Sequence, residues 1–506
     1  MSKFLTYLIK NITPDEKKLI RRYLSSFSSR NVRETKLLKL FDIYIKSSTA
    51  YSDEIISKKI YGVEKVKTLG VLKSRLETKI LDSLTLEINL KKKKNTDLID
   101  IATFKCWNNL LTIHYLLRKK GNSILLNNLI INTENLALKF EIFPVAVEVL
   151  RLKKYIKGFS SGLKEFSQIN TDILKAEKTS QLIQKANDYY YTLILRKDFT
   201  GFSAPKKHSD NLWKIIGELE EDYHLTRASA IKYYKKLLEI EYHTLNKDYF
   251  NSIKCTQELL RIVSENPAIK RKQRISYCYM RLGYFSTSLK NFIKAESYYN
   301  SSLKHTIEGD TNYWVIKELS LLNHIYKGDY NLCSKLISEI TSKYKGEKSI
   351  FRTGKFHYYQ ANIFFYLQNF KTCRKNLGLV RGFPLDLEGW DFCFRILEIM
   401  CLIELEDFDQ SAIRIDDLVR QYYRLRDSGD ITERNLMILT VLSDIAKKGF
   451  SYQNLNQKTI DLVLRLREKG KGHSWEPFTP EIIPFHEWIS GKSKVFSQKS
   501  KARVKV

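Results

Sequence analysis

The chain has 506 residues, 43% of them hydrophobic, and a formal net charge of +30 at pH 7. This length exceeds what one compact core supports, so we expect several domains or an open repeat array, and the hydrophobic content excludes disorder along the whole chain. Only 8 Pro and 20 Gly are present. Because these residues interrupt helices, their scarcity favours long helices.

The excess of basic residues has two interpretations. A charge of +30 suits a polyanionic partner, such as nucleic acid, an acidic protein or an anionic lipid surface. Alternatively, it reflects a Lys-rich composition spread over solvated helix faces. Lys is scattered along most of the chain and few dense basic runs occur, which favours the second interpretation.

The cysteines and the apolar stretches indicate a cellular compartment. Seven cysteines occur without a Cys-x-x-Cys pair, a pattern typical of reduced, buried thiols. The sequence shows no apolar signal segment at its start and no apolar stretch of about 18 residues, so we expect neither secretion nor a membrane span. We therefore predict a cytoplasmic protein.

Residues 1–95 are predicted to form a separate N-terminal helical module. Ser52–Gly62 and Val66–Leu90 match the layout of a helix-turn-helix, although Lys58 stands where such motifs usually hold a small residue. The basic residues that would contact nucleic acid in that case are Lys67, Lys73, Arg75, Lys79, Lys91, Lys92, Lys93 and Lys94. We favour a structural cap of a repeat array over a DNA-binding role.

Residues 96–227 are predicted to be helical and to contain degenerate repeats. Phe143-Pro144, followed by Ala146 and Leu150, is similar to the pattern that recurs later in the chain. Its proline falls in a first helical turn, which tolerates proline because the N–H of that position has no partner within the helix. Clearer copies follow from residue 228.

A short pattern recurs five times in residues 228–450. Each copy has Asp or Asn, then Tyr or Phe, and a small residue three positions after the aromatic one. The copies are Asp248-Tyr249 with Ser252, Asn291-Phe292 with Ala295, Asp329-Tyr330 with Cys333, Asn369-Phe370 with Cys373, and Asp407-Phe408 with Ser411. Successive aromatic residues are 43, 38, 40 and 38 positions apart. This regularity indicates a structural repeat of about 40 residues.

Each part of the pattern has a physical role in a pair of helices. Asp or Asn at a helix start accepts hydrogen bonds from free backbone N–H groups, so it should begin the second helix of the pair. We expect the aromatic ring to pack into the preceding helix and the small residue to let the two axes approach. Apolar residues continue at helical spacing, as in Tyr330, Cys333, Ile337 and Ile340.

One copy, with Leu282-Gly283 followed by Phe292, Ala295 and Tyr299, resembles the tetratricopeptide repeat, in which small residues of the two helices face each other. The resemblance covers residues 228–450, with a period of about 40 in place of about 34. At the Gly283 position, three other copies hold Leu321, Ala361 and Ile399. The layout resembles that of bacterial tetratricopeptide-like proteins. It implies an all-α fold, an α-solenoid of stacked antiparallel helix pairs with an N-terminal helical module.

Residues 451–490 end in a segment rich in aromatic residues and proline. Trp475, Phe478, Phe485 and Trp488 lie within 14 residues that also hold three of the eight prolines, so one continuous helix is excluded. We expect an extended segment that covers the apolar edge of the last repeat, and a partner-docking motif is the alternative. Residues 491–506 are predicted to be a basic disordered tail.

Sequence motifs for catalysis, cofactors or metals do not match. Before Gly491-Lys492-Ser493, the position where a P-loop needs glycine is His486. The sequence has no HExxH motif, and its histidines lack the spacing of metal ligands. We therefore expect no cofactor, no metal and no enzymatic activity.

The resemblance implies a partner-binding groove lined by the first helix of each pair. The positions that it assigns to the groove are Tyr277, Tyr284, Glu318, Tyr326, Lys355, Tyr358, Asn362 and Tyr366. Tyrosines with a few polar neighbours suit peptide capture, and packing between repeats is an equal alternative. A second basic surface, for which a solvated face is the alternative, comprises Lys270, Arg271, Lys272 and Arg274.

These features favour a non-enzymatic adaptor or scaffold whose groove binds a protein or peptide. The alternative is a nucleic-acid-binding regulator that contacts phosphates through the N-terminal module or the second basic surface. The two hypotheses differ in the salt dependence of nucleic-acid binding, which is steep only for the regulator.

Overall fold

A computed structural model describes residues 3–26, 32–46, 52–90, 96–119, 123–200, 207–343, 350–383, 389–425, 432–452, 455–468 and 473–492. Within these ranges the secondary structure consists of 23 α-helices, without a β-strand. The predicted all-α fold is therefore confirmed. Lys91 to Lys94 and residues 493–506 of the predicted basic tail lie outside the described residues.

The chain divides into two compact units, Met1–Glu177 and Lys178–Val506. The helices of the first unit are α1 (Lys3–Asn11), α2 (Pro14–Ser26), α3 (Val32–Lys46), α4 (Asp53–Tyr61), α5 (Val66–Leu90), α6 (Leu98–Arg118), α7 (Ser123–Lys139) and α8 (Phe143–Ser161). The boundary falls within α9 (Leu163–Thr200). The helices of the second unit are α10 (Lys207–Thr226), α11 (Ser229–Leu245), α12 (Tyr249–Glu265), α13 (Lys272–Ser288), α14 (Phe292–Leu303), α15 (Thr311–Lys327), α16 (Tyr330–Lys343), α17 (Ile350–Tyr366), α18 (Phe370–Leu377), α19 (Trp390–Glu404), α20 (Phe408–Leu425), α21 (Glu433–Lys447), α22 (Gln457–Arg465) and α23 (Phe485–Gly491).

The first five helices share one apolar core. Its fully buried residues include Leu5, Ile20, Leu40 and Leu76. α4 ends at Gly62, which has a φ of 77°, a left-handed conformation that glycine adopts without steric cost. The two helices predicted for residues 52–90 therefore form, and both pack into this core.

A second core of the first unit lies among α6, α7 and α8. Its fully buried residues include Cys106, Ala137, Val145 and Val149. α8 begins at Phe143 with Pro144 in its first turn, and Ala146 is fully buried. This early helix therefore starts at the aromatic residue, like the later copies of the pattern.

The second unit is a solenoid of stacked antiparallel helix pairs. The second helix of each pair begins at the aromatic residue of the sequence pattern, as α12, α14, α16, α18 and α20 do at Tyr249, Phe292, Tyr330, Phe370 and Phe408. The side chains of Asp248, Asn291 and Asn369 each accept a hydrogen bond from the backbone N–H three residues later, and so cap these helices. The predicted helix starts are confirmed in all five copies.

The turn within each of these five pairs has one backbone geometry. The residues one position before the Asp or Asn have φ between 57° and 89°, namely Lys247, Lys290, Gly328, Gln368 and Glu406. The Asp or Asn then donates its backbone N–H to the carbonyl five residues earlier, at 2.8–3.0 Å. This closes the first helix in a Schellman motif. In three copies one residue therefore closes one helix with its backbone and caps the next with its side chain.

Three aromatic residues of the pattern join successive pairs. The stacked rings are Tyr249 on Phe285, Tyr330 on Tyr366 and Phe408 on Phe450, with centroids 6.2, 4.6 and 4.9 Å apart. Each of these rings contacts the following pair, whereas we expected contact with the preceding helix. Phe370 makes the expected contact, edge-on against Phe365 of α17.

The small residues of the pattern lie where the paired helices approach. All are fully buried, namely Ser252, Ala295, Cys333, Cys373 and Ser411. On α13, Gly283 faces the ring of Tyr299 rather than another small residue. A Cβ atom at position 283 would lie 2.5 Å from the Tyr299 Cε1 atom, so glycine leaves the space that this fully buried ring occupies.

Candidate functional site

Residues 473–492, which we call the C-terminal segment, lie against the first helices of the repeat pairs. Up to Pro484 the segment is irregular rather than extended as expected, with a turn at Pro477-Phe478 where Phe478 has a φ of 66°, and it then forms the short α23. It contacts α13, α15, α17, α19 and α21. We call the surface that these first helices present to it the inner face.

Three of the predicted groove tyrosines bind the C-terminal segment directly. The Tyr284 ring stacks on Phe478 with centroids 4.5 Å apart. The Tyr326 hydroxyl accepts a hydrogen bond from the backbone N–H of Phe478 at 2.9 Å, and the Tyr358 hydroxyl donates one to the Pro480 carbonyl at 2.8 Å. Both hydroxyls bind main-chain atoms, so these two bonds hold the backbone of the segment whatever its side chains are.

Ion pairs fix the C-terminal segment at two places. Arg434 of α21 forms a bidentate pair with Glu481, with Nε–Oε2 and Nη2–Oε1 distances of 2.6 and 2.7 Å. The two side chains are only 9% and 10% exposed. Nearer the start of the segment, Lys247 pairs with Glu476 at 2.6 Å in a more exposed position. Because water screens exposed charges, the buried pair should hold the segment more strongly.

The end of the C-terminal segment is anchored in the apolar core of the second unit. Ile482, Phe485 and Ile489 are almost completely buried there. The Trp488 indole N–H donates a hydrogen bond to the Glu404 carboxylate at 2.6 Å, and Lys492 pairs with the same carboxylate at 2.6 Å. α23 is therefore part of the folded repeat array.

Glu318 and Lys355, two further predicted groove residues, connect neighbouring first helices. The Lys355 ammonium lies 2.7 Å from the Glu318 carboxylate, which also accepts a hydrogen bond from the Tyr359 hydroxyl at 2.9 Å. These contacts join α15 to α17. Tyr366 likewise contacts a neighbouring helix, because it stacks on Tyr330 of α16.

The last two predicted groove residues, Asn362 and Tyr277, are both packed against other side chains. Asn362 is 1% exposed and, with Glu481, lines a small cavity, while its amide N–H donates to the Tyr358 carbonyl. Tyr277 lies beside Tyr190 and Arg281. The structure therefore brings four predicted residues together around the C-terminal segment, Tyr284, Tyr326, Tyr358 and Asn362, and places the other four in contacts between helices.

Burial keeps the tyrosine hydroxyls and the His486 ring of the site neutral. Burial raises the pKa of Tyr284, Tyr326 and Tyr358 above the usual value, so these hydroxyls stay protonated. Burial, and next the Arg434 charge, lower the pKa of His486 to about 3. The neutral His486 ring accepts a hydrogen bond from Arg434 through Nδ1 at 3.2 Å. Neutral hydroxyls that form hydrogen bonds, together with ion pairs of fixed geometry, are suited to binding a peptide segment.

The basic residues predicted for nucleic-acid contact in the first unit differ in exposure. Lys73 is buried and pairs with Asp53 at 2.7 Å. Its charge is therefore balanced by the partly buried Asp53 carboxylate within the first unit. Lys79 is partly buried over a tyrosine ring, whereas Lys67 and Arg75 are exposed on α5.

The second basic surface lies at the start of α13. Lys270 is exposed, and Arg271 and Lys272 are partly exposed. Arg274 places its guanidinium 4.2 Å from the centre of the Tyr233 ring and donates a hydrogen bond to a backbone carbonyl at 3.1 Å. The structure therefore uses Arg274 in packing between helices.

Sequence reasoning missed four residues that bind the C-terminal segment, namely Lys247, Lys290, Glu404 and Arg434. Lys247 and Lys290 directly precede two copies of the repeat pattern, which does not indicate contact with a distant segment, and Glu404 and Arg434 belong to helices without a motif. Arg434 and Glu481 are 47 positions apart, so only the path of the chain brings them together. In the sequence, these contacts were indicated only by the segment after the last repeat, which is rich in bulky aromatic residues and interrupted by prolines.

Metal ligands, membrane spans and thiols are three further features of the described residues that bear on function. No three His, Cys, Asp or Glu side chains among them are grouped so as to hold a metal ion. None of the described helices combines the length and the apolar character needed to cross a membrane. All seven cysteines are free thiols, six of them buried.

No protein-family model matches the chain, and no curated protein matches its sequence. Among solved structures, the chain is similar to a Signal Transduction ATPase with Numerous Domains protein with a tetratricopeptide repeat sensor, from Pyrococcus horikoshii. The identity is 13% and the TM-score 0.28, and the match covers 96% of this chain and 66% of that protein. At this TM-score the tetratricopeptide-like assignment rests on the helix pairs themselves.

Proposed function

We propose that this chain is a non-enzymatic cytoplasmic adaptor or scaffold that binds a non-helical segment of a protein partner on the inner face of its repeats. The observation that carries this proposal is that the inner face already holds a non-helical segment of the chain itself. Tyr326 and Tyr358 bind the main chain of that segment, and Tyr284 stacks on one of its rings. A surface that binds one non-helical backbone in this way suits another of similar shape and chemistry.

The composition of the inner face fits the same proposal. Tyrosine combines a large apolar ring with a polar hydroxyl, and it is enriched at protein interfaces. Lys247 and Lys290 add positive charge beside the C-terminal segment, which favours an acidic partner segment. The buried free thiols fit a reducing cytoplasm.

A photo-crosslinking amino acid at position 290 of the full chain tests the proposal. Lys290 is exposed and its ammonium lies 5.1 Å from the centre of the Trp475 ring, so a partner on the inner face should be captured there. Ile413 on α20 is 51% exposed and belongs to the second helix of a pair, which makes it the matched control. Protein crosslinks specific to position 290 are expected. Their absence, or the same crosslinks from position 413, would contradict the proposal.

The nucleic-acid alternative needs a separate measurement. Titration of the full chain with duplex DNA and with single-stranded RNA, at several salt concentrations, reports phosphate contacts through the slope of affinity against salt. For an adaptor we expect weak binding that disappears near physiological salt. Tight binding with a steep slope would favour the regulator.

A further inference from the structure

Two neighbouring stretches of the C-terminal segment differ in burial. Residues 481–485 are all buried, whereas none of residues 475–480 is. The buried stretch includes Glu481, paired with Arg434, and the core residues Ile482 and Phe485. A stretch with few buried apolar contacts opens locally at a lower free-energy cost than one packed in a core. Residues 475–480 can therefore leave the inner face while residues 481–485 stay bound.

Residues 475–480 make contacts that select particular side chains. Besides the two hydroxyl bonds to the main chain, the Phe478 ring stacks on Tyr284, and the Glu476 carboxylate pairs with Lys247. The Tyr249 hydroxyl also lies near this carboxylate. The inner face thus recognises an aromatic ring and, two residues before it, a carboxylate.

Two further features of residues 475–480 favour binding as a turned, non-helical peptide. Pro477 and Pro480 restrict the backbone, so less conformational entropy is lost when the peptide is ordered on a surface. The Trp475 ring lies under the Lys290 ammonium, and its indole N–H donates to the Glu481 carbonyl at 2.7 Å. The sequence Trp-Glu-Pro-Phe-Thr-Pro is thus matched to the inner face by charge, ring stacking and backbone shape.

We propose that residues 475–480 act as a resident ligand, and that a partner displaces them with a non-helical, proline-containing segment that adopts the same turn and carries an acidic residue two positions before an aromatic one. This inference rests on the proposed function and specifies the partner's chemistry and the part of the chain that it replaces. A competing segment binds only molecules in which residues 475–480 have opened. The apparent affinity of the competing segment is therefore its intrinsic affinity multiplied by the fraction of molecules in which residues 475–480 are open. Substitutions that loosen these residues raise that fraction and hence the apparent affinity.

Fluorescence anisotropy with a labelled synthetic peptide that copies residues 473–482 tests this inference on the full chain. The variant Trp475→Ala with Phe478→Ala removes ring contacts of the resident segment and leaves the Arg434 pair intact. We expect the peptide to bind this variant at least about ten-fold more tightly than the unmodified chain. A peptide with alanine in place of both its glutamate and its phenylalanine should bind neither chain. Circular dichroism and thermal unfolding check that the variant is folded.

A pair of matched substitutions shows whether the peptide uses the inner face. The chain with Trp475→Ala and Phe478→Ala is called the loosened chain. In it, Tyr326→Phe removes the hydroxyl that binds the backbone N–H at position 478, so the affinity for the peptide should fall by about five-fold. Tyr359→Phe removes a hydroxyl that instead binds Glu318, and it should leave the affinity unchanged. Equal binding to the loosened and unmodified chains, or binding to neither, would overturn the inference. Crosslinks from position 290 would in that event still support the proposed function.

Hydrogen exchange of the unmodified chain gives a second measurement that needs no variant. The backbone N–H of Phe478, within the partly exposed residues 475–480, donates a hydrogen bond to the Tyr326 hydroxyl. The backbone N–H of Phe485 donates one to the buried Glu481 carboxylate at 2.8 Å. We expect the Phe478 amide to exchange at least about 100-fold faster, because local opening exposes it without unfolding the core. Equal rates at the two amides would mean that residues 475–480 do not open separately, and the inference would fall.

Discussion

Replacing Glu481 by Gln removes the charge that faces Arg434 while nearly preserving the size of the side chain. The Glu481 carboxylate accepts two hydrogen bonds from the guanidinium and a third from the backbone N–H of Phe485. Leaving one charge of a buried pair uncompensated costs about 3–5 kcal/mol. Because Arg434 keeps its hydrogen bonds to two backbone carbonyls, we expect the lower end, a loss of about 3 kcal/mol.

The expected change in thermal stability follows from the size of the second unit. For domains of about 150–250 residues, 1 kcal/mol corresponds to about 2–4 °C, and larger units respond less per kcal/mol. Glu481→Gln should therefore lower the unfolding midpoint of the second unit by about 6 °C. Circular dichroism at 222 nm and differential scanning calorimetry of the full chain measure it. Adding Arg434→Met should recover part of the loss, because the orphaned charge is then absent.

An exposed ion pair provides the control for this prediction. The Asp417 and Arg420 side chains are 49% and 71% exposed and lie 3.3 Å apart, so Asp417→Asn should change the free energy of unfolding by less than about 0.5 kcal/mol. The reasoning about the buried pair is refuted if Glu481→Gln costs less than about 1 kcal/mol. It is equally refuted if the effects of Glu481→Gln and Arg434→Met simply add.

Three further predictions concern the turns, the helix packing and the pH dependence. Gln368→Gly should raise the free energy of unfolding by about 0.5–1 kcal/mol in urea denaturation, because the exposed Gln368 has a φ of 59°; a lower stability would show that its side chain matters more than its backbone. Gly283→Ala should cost about 1–3 kcal/mol in the same assay, since the added carbon lies 2.5 Å from Tyr299, and an unchanged midpoint would contradict this close packing. The folded-state pKa of His486, about 3, lies below the unfolded value of about 6.5. The unfolded chain therefore binds the proton first, and stability falls as the pH drops from about 6.5 towards 3. The His486 contribution should make the protein about 1–2 kcal/mol less stable at pH 5 than at pH 7. His486→Gln should reduce this pH dependence of the free energy of unfolding. Identical pH profiles of stability for the variant and the unmodified chain would count against a neutral His486 ring in the folded state.

The helix pairs were predictable from sequence because their determinants are local. An Asp or Asn before an aromatic residue, followed at three positions by a small one, gives a cap, a ring and a close approach within five residues. Asn369, Phe370 and Cys373 show this together, since the first caps α18, the second begins it and the third is fully buried. Such information survives in a single sequence without knowledge of the fold.

The left-handed turn residues were not predictable, since four of the five are not glycine. Lys290 and Gln368 carry no local sign of a positive φ. The contacts of the C-terminal segment were not predictable for a different reason, because they join distant parts of the chain. Lys247 and Glu476 are 229 positions apart, and the Tyr358 hydroxyl reaches across 122 positions to Pro480. The aromatic and proline content of residues 475–488 indicated that this segment packs against a surface of the protein, but it did not indicate which surface.

The shared turn geometry also determines where this array tolerates a change in length. Within a pair, only residues 246–248 separate α11 from α12, and residues 289–291 separate α13 from α14. An inserted residue there would separate the Schellman closure of one helix from the cap of the next. The links between pairs, such as residues 304–310 before α15, are not subject to this double constraint. Affinity tags, fluorescent reporters or grafted loops are therefore best inserted between pairs.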